Sequence, residues 1–379
     1  MNLIKHSTIA LALTAILSGR ADAQTATVFT PGKLAVLQEG DGGAGRCLPA
    51  GAKSGITYYT PSDLTGSRQN QYFIDQFDPN TPNQTVPSVY LPVPTNDAAG
   101  GIFVNGNAGT EGGMTLAGDK SVLTFAGYTG TILSITTGGQ TAPSNLSYNR
   151  GIATVDAFTN YTRVYSGPGW YGIATGKTNP RGVTTDGLGG FWGCGNGYGS
   201  LYYDANTPAN PPIPFQNVNL TSTVKVLNNA VYAAVKAGDV QNGLYPAGIY
   251  SFVDDYYNPV PYPNYTTFLQ LLIKAQAPWT NCIGFDINPQ GTVAYVGDVG
   301  DQKTEWGGLQ KYVKQGNNWV LAYNLSIPGY YGQQSGILTN ASSTNVLAGI
   351  FSVTVDWTGT NPVVYATTTD GGIDPGDIY

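Results

Sequence analysis

The feature that most constrains the fold of this chain is a strand-turn-strand pattern that occurs five times. Each copy has a short apolar strand, a turn of Asp, Asn, Gly or Pro, and a second strand rich in small and β-branched residues, a pattern typical of a β-hairpin. Spacing of about 40 to 70 residues between copies indicates a repeat architecture. The copies begin at Gly112, Arg181, Ser222, Ile283 and Phe351.

The segments between the hairpins supply two further strands for each unit. Residues 307–327 form two alternating stretches joined at Gly316-Asn317-Asn318. The stretch "RGIATVDAFTNYTRVYS" has the same pattern after the first hairpin, and "AGIYSFVDD" followed by "TTFLQLLIKA" has it after the third. Each unit is therefore predicted to be a four-stranded antiparallel meander. Such units, repeated around an axis, are the blades of a β-propeller.

The stretch "IGFDINPQGTVAYVGD" from Ile283, with "GGLQKYVKQGNNWVLAYNL" after it, resembles a blade of exported multi-bladed β-propeller repeat proteins. The resemblance covers most of the mature chain and implies an all-β propeller, but it specifies no activity. We expect about six blades of four strands, with seven as the alternative. The last blade is expected to be incomplete, because the fifth hairpin runs into "DGGIDPGDIY" without its third and fourth strands.

The residues before the first hairpin predict a further blade. Strands that start near Lys33, Tyr72 and Ser88 are predicted as the second, third and fourth strands of a blade that lacks its inner strand. Residues 24–379 are thus expected to form one propeller domain, with an N-terminal blade in 24–110 and repeated blades in 111–379. A chain that stops early would leave open edges on its first and last blades.

The first 23 residues predict export. They contain Lys5, an apolar stretch from Ile9 to Leu17, and the tripeptide Ala21-Asp22-Ala23, which together indicate a cleaved signal peptide. We therefore expect a secreted or periplasmic protein. No later segment is long and apolar enough to span a bilayer, so no membrane insertion is expected.

The only histidine, His6, lies in this predicted signal peptide. A mature chain without histidine excludes Ser-His-Asp and Cys-His catalysis, histidine zinc sites and type-1 copper sites. The formal net charge of −6 argues against nucleic acid as a partner, because the phosphate backbone would be repelled.

The glycine-rich stretch around Cys194 is predicted to be structural. It follows a hairpin turn and opens no helix, so it is not a dinucleotide-binding motif. No histidine is present to activate the thiol. We interpret Cys194 as a packed residue on the second strand of a blade. The three cysteines, which include Cys47 and Cys282, permit at most one intramolecular disulfide, and whether one forms is left open.

Topology predicts where a site would lie. In a four-stranded meander, the loops between strands two and three and the loops between blades lie on the same face. Aromatic rings beside carboxylates on that face suit a carbohydrate, and they suit a basic partner such as an extracellular protein equally well. Charges placed there only for solubility are the alternative. The candidates are Trp170, Tyr171, Trp279, Tyr330, Tyr331, Asp239, Asp298, Asp301, Glu305 and Trp306.

Three carboxylates near the end of the chain suggest a metal-binding site. Asp370, Asp374 and Asp377 are spaced so that they could hold Ca²⁺ through oxygen ligands. No other cofactor is predicted.

Three functions remain open at this point. We favour a binding or scaffold module without catalysis, because the repeat is recognisable and no catalytic set is. The alternative is a carbohydrate-active enzyme, a glycoside hydrolase or lyase that uses paired loop carboxylates. A quinone-cofactor dehydrogenase with Ca²⁺ would use the same fold, but its cofactor motif is not seen and fold analogy would be its sole support.

Overall fold

The computed structural model describes most of the predicted strands and turns. Its described residues form β-strands joined by turns, and their one helix is a 3-10 turn, Asp97–Ala99. The prediction of an all-β chain is confirmed. The described ranges are 28–39, 69–81, 87–105, 111–132, 148–170, 179–195, 199–216, 221–235, 246–253, 268–275, 282–301, 306–325 and 350–368.

The predicted hairpins are all present, and four of them continue into four-stranded antiparallel meanders. The first unit is β5 (Met114–Leu116), β6 (Val122–Thr129), β7 (Asn149–Asp156) and β8 (Tyr161–Gly167). The second is β9 (Pro180–Thr185), β10 (Gly190–Gly195), β11 (Gly199–Asp204) and β12 (Ile213–Gln216). The third is β13 (Thr221–Leu227), β14 (Ala230–Val235), β15 (Gly248–Val253) and β16 (Phe268–Lys274). The fourth is β17 (Cys282–Ile287), β18 (Val293–Asp301), β19 (Trp306–Gln315) and β20 (Asn318–Leu325). The fifth has β21 (Ile350–Asp356) and β22 (Val363–Thr368).

Local turn chemistry explains where these hairpins reverse. In the third unit two asparagines, Asn228 and Asn229, form the turn with φ of 52° and 61°. Asparagine tolerates this left-handed conformation better than most residues, and two such residues in succession match the twist of a two-residue hairpin. In the fourth unit Gly316, at φ 61°, allows the reversal between β19 and β20.

The first strands of the five units lie side by side and run parallel. Gly113 and Gly118 at the first unit donate backbone hydrogen bonds of 2.8 Å to Arg181 and Thr185 on β9. The second and third units are joined where the Val226 N–H donates to Thr184 Oγ1 at 3.1 Å. These bonds follow the order of the chain, so each unit is next to its successor.

A lysine on the third unit reaches both the fourth and the fifth. Lys225 Nζ lies 3.5 Å from Asp286 Oδ2 on β17 and donates to the Val353 carbonyl on β21 at 2.8 Å. Asp286 also accepts from Val355 N at 3.2 Å and Trp357 Nε1 at 3.1 Å. The three first strands are therefore tied together by one buried ion pair.

The hydrophobic core is divided among the spaces between successive sheets. Four of the clusters contain residues from two adjacent units, such as Ile152 of the first with Phe191 of the second. Trp192 and Phe252 join the second and third units, and Ile273 and Tyr312 join the third and fourth. Apolar residues at alternate positions of each strand are thus buried against a neighbouring unit rather than in one central core.

The N-terminal strands form the predicted antiparallel meander, with β1 (Leu34–Glu39) and β3 (Val89–Pro92) on either side of β2 (Gln69–Phe77). A strand that the sequence reasoning missed, β4 (Ile102–Asn105), pairs with both β2 and β6. In the described part of the chain this meander therefore continues the sheet of the first unit. Its standing as a separate blade, and with it the count of six or seven, stays a prediction.

Candidate functional site

The two ends of the parallel first strands differ. At one end the strands of each hairpin are joined by short turns at 117–121, 186–189, 228–229, 288–292 and 357–362. We call this the turn end. The opposite end contains the starts of the first strands and the connections between second and third strands. The four predicted binding candidates that the structure describes, Trp170, Asp298, Asp301 and Trp306, lie on the side of this second end, which we call the bulge end.

Four successive hairpins carry a β-bulge at the same place, near the start of the first strand. In each, two residues of the first strand oppose one residue of the second, which leaves one residue without a ladder partner. Bulges of this kind re-aim side chains and are frequent beside active sites. The sequence reasoning missed them. The extra residues are Arg181, Ser222, Ile283 and Phe351.

The bulges also bring neighbouring units into close contact. A Cβ added to Gly113 would lie 2.9 Å from the carbonyl oxygen of the bulged residue Arg181 on the next unit. A Cβ added to Gly284 would lie 2.8 Å from the carbonyl oxygen of Phe351 in the same way. A glycine on one first strand therefore admits the bulged backbone of the next, since a side chain there would collide with it.

A buried charged cluster lies at the bulge end of the first unit. The Tyr128 hydroxyl donates to Glu111 Oε1 at 2.9 Å, and the Arg150 guanidinium lies 5.1 Å from the centre of the Tyr128 ring. All three side chains are at most 2% exposed. Burial raises the pKa of Tyr128, with the Glu111 charge adding to it, and burial lowers the pKa of Arg150. The cluster thus holds charge of both signs at a protected position.

A second buried acid lies at the bulge end of the fourth unit. The Cys282 thiol is 3.9 Å from Asp298 Oδ2, and both residues are buried. Burial first, and then the negative charge of Asp298, raises the pKa of Cys282 well above its usual value. A thiol held in this protonated state is not a nucleophile at neutral pH.

Three further side chains are buried near the bulges of the second and third units. The bulged residues Arg181 and Ser222 are 5% and 3% exposed. Cys194 is buried on β10 beside the Gly182 carbonyl, at 3.6 Å. The prediction that Cys194 is a packed residue of a second strand is confirmed. Among the described residues, neither Cys194 nor Cys282 is part of a disulfide.

The structure places four of the ten predicted candidates, and it places Trp170 differently from our expectation. Trp170 is completely buried and is not part of an exposed aromatic face. Its ring covers β10, where a Cβ on Gly193 would lie 2.3 Å from it. Asp298 is buried as described above. Asp301 and Trp306 are paired with each other across β18 and β19.

The other candidates lie outside the described residues, and their role stays a prediction. They are Tyr171, Trp279, Tyr330, Tyr331, Asp239 and Glu305, and the same is true of the Ca²⁺ candidates Asp370, Asp374 and Asp377. Within the described ranges, no group of three or more metal-binding side chains is arranged to hold an ion.

Sequence reasoning missed the buried charges Glu111, Arg150 and Arg181. A usable signal existed, because charged residues form only 11% of the chain. An arginine inside a predicted strand of such a chain is expected to have a specific partner, because an unpaired buried charge is very costly.

Comparison with known proteins assigns no family. No family model matches the chain, and no curated protein matches it. Among solved structures it is similar to the periplasmic gluconolactonase PpgL of Pseudomonas aeruginosa, at 11% identity over 93% of this chain and 83% of that chain, with a TM-score of 0.44. It is also similar to the β-propeller domain of the Trilobed protease of Pyrococcus furiosus, at 8% identity over 80% of this chain and 73% of that chain, with a TM-score of 0.33. Similarity at these values assigns no activity.

The predicted signal peptide, residues 1–23, lies outside the described residues. Of the helical segments in the described ranges, none has the length and apolar character required to cross a bilayer.

Proposed function

We propose that this protein is an exported propeller-type binding module whose ligand contacts the bulge end. The observation that carries the proposal is the difference between the two ends of the first strands. The turn end has short hairpin turns. The bulge end combines repeated bulges with buried charges, which supply a rigid base for the connections that contain the predicted aromatic and acidic candidates.

A carbohydrate fits this end better than a basic partner. The buried groups there include acids, Glu111 and Asp298, and bases, Arg150 and Arg181. These groups are buried and do not contact a ligand themselves, but their mixed charge gives this end no excess of negative charge to attract a purely basic partner. Aromatic rings such as Tyr171 and Trp279 would stack on the sugar rings, as expected for this ligand class.

The test is binding of the full chain to an array of neutral and acidic oligosaccharides. We expect binding that is lost in Trp279→Ala and Tyr171→Ala. The matched control is Leu188→Ala, which changes a 69% exposed apolar residue at the turn end. Binding that is unaffected by the first two variants but lost in the control would place the ligand at the wrong end for this proposal.

A glycoside hydrolase or lyase activity stays the alternative. It requires two carboxyl groups at a fixed separation, one of them able to hold a proton. Glu111 accepts from Tyr128, and Asp298 lies beside Cys282, so each already has a defined neighbour. Release of reducing sugar from a bound oligosaccharide, abolished in Asp298→Asn, would favour the enzyme over the binding module.

A further inference from the structure

One face of the fourth unit is only half covered. On its inner strands, Tyr295 and Leu309 are buried against Ile350, Val353 and Ala366 of the fifth unit. On its outermost strand, β20, three apolar residues of the same face remain exposed. Val320, Tyr323 and Leu325 are 39%, 41% and 45% exposed. The register of β19 and β20 places them beside Val313, Lys311 and Leu309, so they share the face that is directed toward the fifth unit.

Comparison with the first unit shows what is missing. A second recurrent bulge lies on the fourth strand of each four-stranded unit, with Val164, Phe215, Leu272 and Ala322 as the extra residues. Tyr165 and Tyr323 follow this bulge at equivalent positions. The Tyr165 ring lies 4.7 Å from Tyr203, on the third strand of the next unit. No described residue of the fifth unit covers Tyr323 as Tyr203 covers Tyr165, because only β21 and β22 of that unit are described.

A cation lies within the exposed patch. Lys311 Nζ is 5.7 Å from the centre of the Tyr295 ring and 5.3 Å from that of Tyr323. We call Lys311, Val320, Tyr323 and Leu325 together the open face. An occupant of the open face must bury apolar surface and also present an acidic group to Lys311.

We propose that the C-terminal segment of this chain, residues 369–379, docks on the open face and adds a third strand to the edge of β22. The segment follows β22 directly, as the third strand of every other unit follows its second. In extended form 11 residues reach roughly 36 Å, enough for a turn and a six-residue strand. Asp370-Gly371-Gly372 is a favourable hairpin turn.

The side chains of this segment complement the open face. Alternate residues of a strand share one face, so Ile373, Asp377 and Tyr379 would be directed to the open face together, with Ile373 and Tyr379 as apolar surface and Asp377 as the acidic group. Pro375 cannot donate to a ladder, which restricts the new strand to an edge position, as the arrangement requires. The tyrosine at 379 is available to cover Tyr323 as Tyr203 covers Tyr165.

Hydrogen exchange of the full chain tests the docking. We expect the amides of residues 373–379 to exchange at least about tenfold more slowly than in the free peptide of the same sequence. Leu325→Asp should return them to the peptide rate. The matched control is Leu271→Asp, which changes a 36% exposed residue on the outermost strand of the third unit, and it should leave them protected. Exchange in residues 180–204 reports whether each variant is folded.

Charge reversal tests the contact with Lys311 in particular. Lys311→Glu should lower the protection of residues 373–379, and adding Asp377→Lys should restore it, whereas adding Asp374→Lys, on the other face of the strand, should not. Lys274→Glu on β16 is the control and should have no effect.

Four outcomes would overturn the proposal. Exchange of residues 373–379 at the peptide rate in the wild type would show that they do not dock. Protection of β20 that rises with protein concentration would assign the open face to a second copy of the chain. Protection that survives Leu325→Asp would place the segment elsewhere. Protection that requires Ca²⁺ and is lost in EDTA would assign Asp374 and Asp377 to a metal ion instead of Lys311.

Discussion

Asp75 on β2 is a buried carboxyl group in apolar surroundings. Its cross-strand neighbours are Val36 and Tyr90, and it is 1% exposed. Neither of its oxygens has a hydrogen-bond partner among the described residues. Burial raises its pKa from 3.8 to about 7. The folded protein therefore keeps a proton that the unfolded chain releases.

The Asp75 proton makes stability depend on pH in a direction unusual for a carboxylate. Because the folded pKa is the higher one, the free energy of unfolding should fall as pH rises from about 4 to about 7. Asp75→Asn should remove this slope and be more stable than the wild type above pH 7. Urea unfolding at several pH values measures both effects.

Asp78 is the control for the pH dependence, because its pKa is shifted in the opposite direction to that of Asp75. A hydrogen bond from Lys33 lowers the pKa of Asp78, so its contribution to stability should be lost as pH falls. A wild-type protein whose stability stays level or rises from pH 4 to 7 while Asp75→Asn behaves identically would contradict the assignment.

Gly193 is predicted to be intolerant of even one methyl group. A Cβ at this position would lie 2.3 Å from the buried Trp170 ring. Gly193→Ala should lower the free energy of unfolding by about 1–3 kcal/mol, because the ring cannot withdraw from a packed core. Gly359→Ala, at an exposed turn where the nearest atom is 3.3 Å away, should cost much less. Equal thermal stability of the two variants would show that Trp170 is free to move.

Sequence reasoning at the residue scale succeeded for Cys194 and failed for Trp170. The alternation of glycine and larger residues along 190–195 shows that Cys194 lies on a strand. Trp170 follows β8 in a stretch with glycine and proline, which is typical of exposed loops. Trp170 is buried because Gly193 has no side chain, so the ring can pack against β10. No local sequence pattern predicts this contact between two units.

At the scale of strands, Lys225 is predicted to hold three units together. Its side chain and that of Asp286 are 13% and 9% exposed. Lys225→Met should lower the free energy of unfolding by about 2–4 kcal/mol, because the Asp286 charge is left without a counter-ion in a buried position.

The exposed pair Lys33 and Asp78 is the control for the Lys225 prediction, since its side chains are 27% and 30% exposed. Lys33→Met should have a much smaller effect, because water screens that pair. Chemical denaturation compares the two variants. Similar decreases in the free energy of unfolding for the two variants would mean that the Lys225 ion pair does not link the units as described.

Hairpins could be predicted from the sequence and bulges could not. The hairpins follow from alternating apolar residues and from turn residues such as Asn228-Asn229, which are local properties. Whether a strand contains a bulge depends on how its residues align with those of the partner strand, which is not a local property of the sequence. The four bulged residues Arg181, Ser222, Ile283 and Phe351 have no side-chain property in common. For a similar reason β4 was missed, since four residues pairing with two distant strands leave little local signal.

At the scale of the whole molecule, β4 couples the N-terminal meander to the first unit. Ile102 on β4 is completely buried in a cluster that contains Tyr72 of the meander and Phe125 of the first unit. The two parts should therefore unfold as one. Ile102→Ala should lower stability by about 2–4 kcal/mol and speed hydrogen exchange in both 69–77 and 149–167 together.

Leu116→Ala is the control, because Leu116 on β5 is 49% exposed and has little packing to lose. Faster exchange in 69–77 alone after Ile102→Ala would show that the meander is an independent unit. Substantial helix in the circular dichroism spectrum would contradict the whole architecture.

The sequence predicts at which end the candidate residues lie, but it does not predict the buried charged cluster at that end. Meander topology alone places the connections of the predicted candidates at one end of the first strands. Glu111 and Arg150 both contact Tyr128, and this arrangement depends on the pairing of β6 with β7. Such pairing joins residues that are distant in sequence, so no local pattern predicts it.

The contact between a glycine of one unit and a bulged carbonyl of the next gives the array a polarity. Gly113 receives Arg181, and Gly284 receives Phe351, in both cases in the direction of the chain. Units joined by this contact cannot be exchanged freely, because a residue with a side chain at the glycine position would collide with the bulged backbone of the next unit. A duplicated unit would reproduce this kind of junction where its copy keeps both the glycine and the extra residue of the bulge.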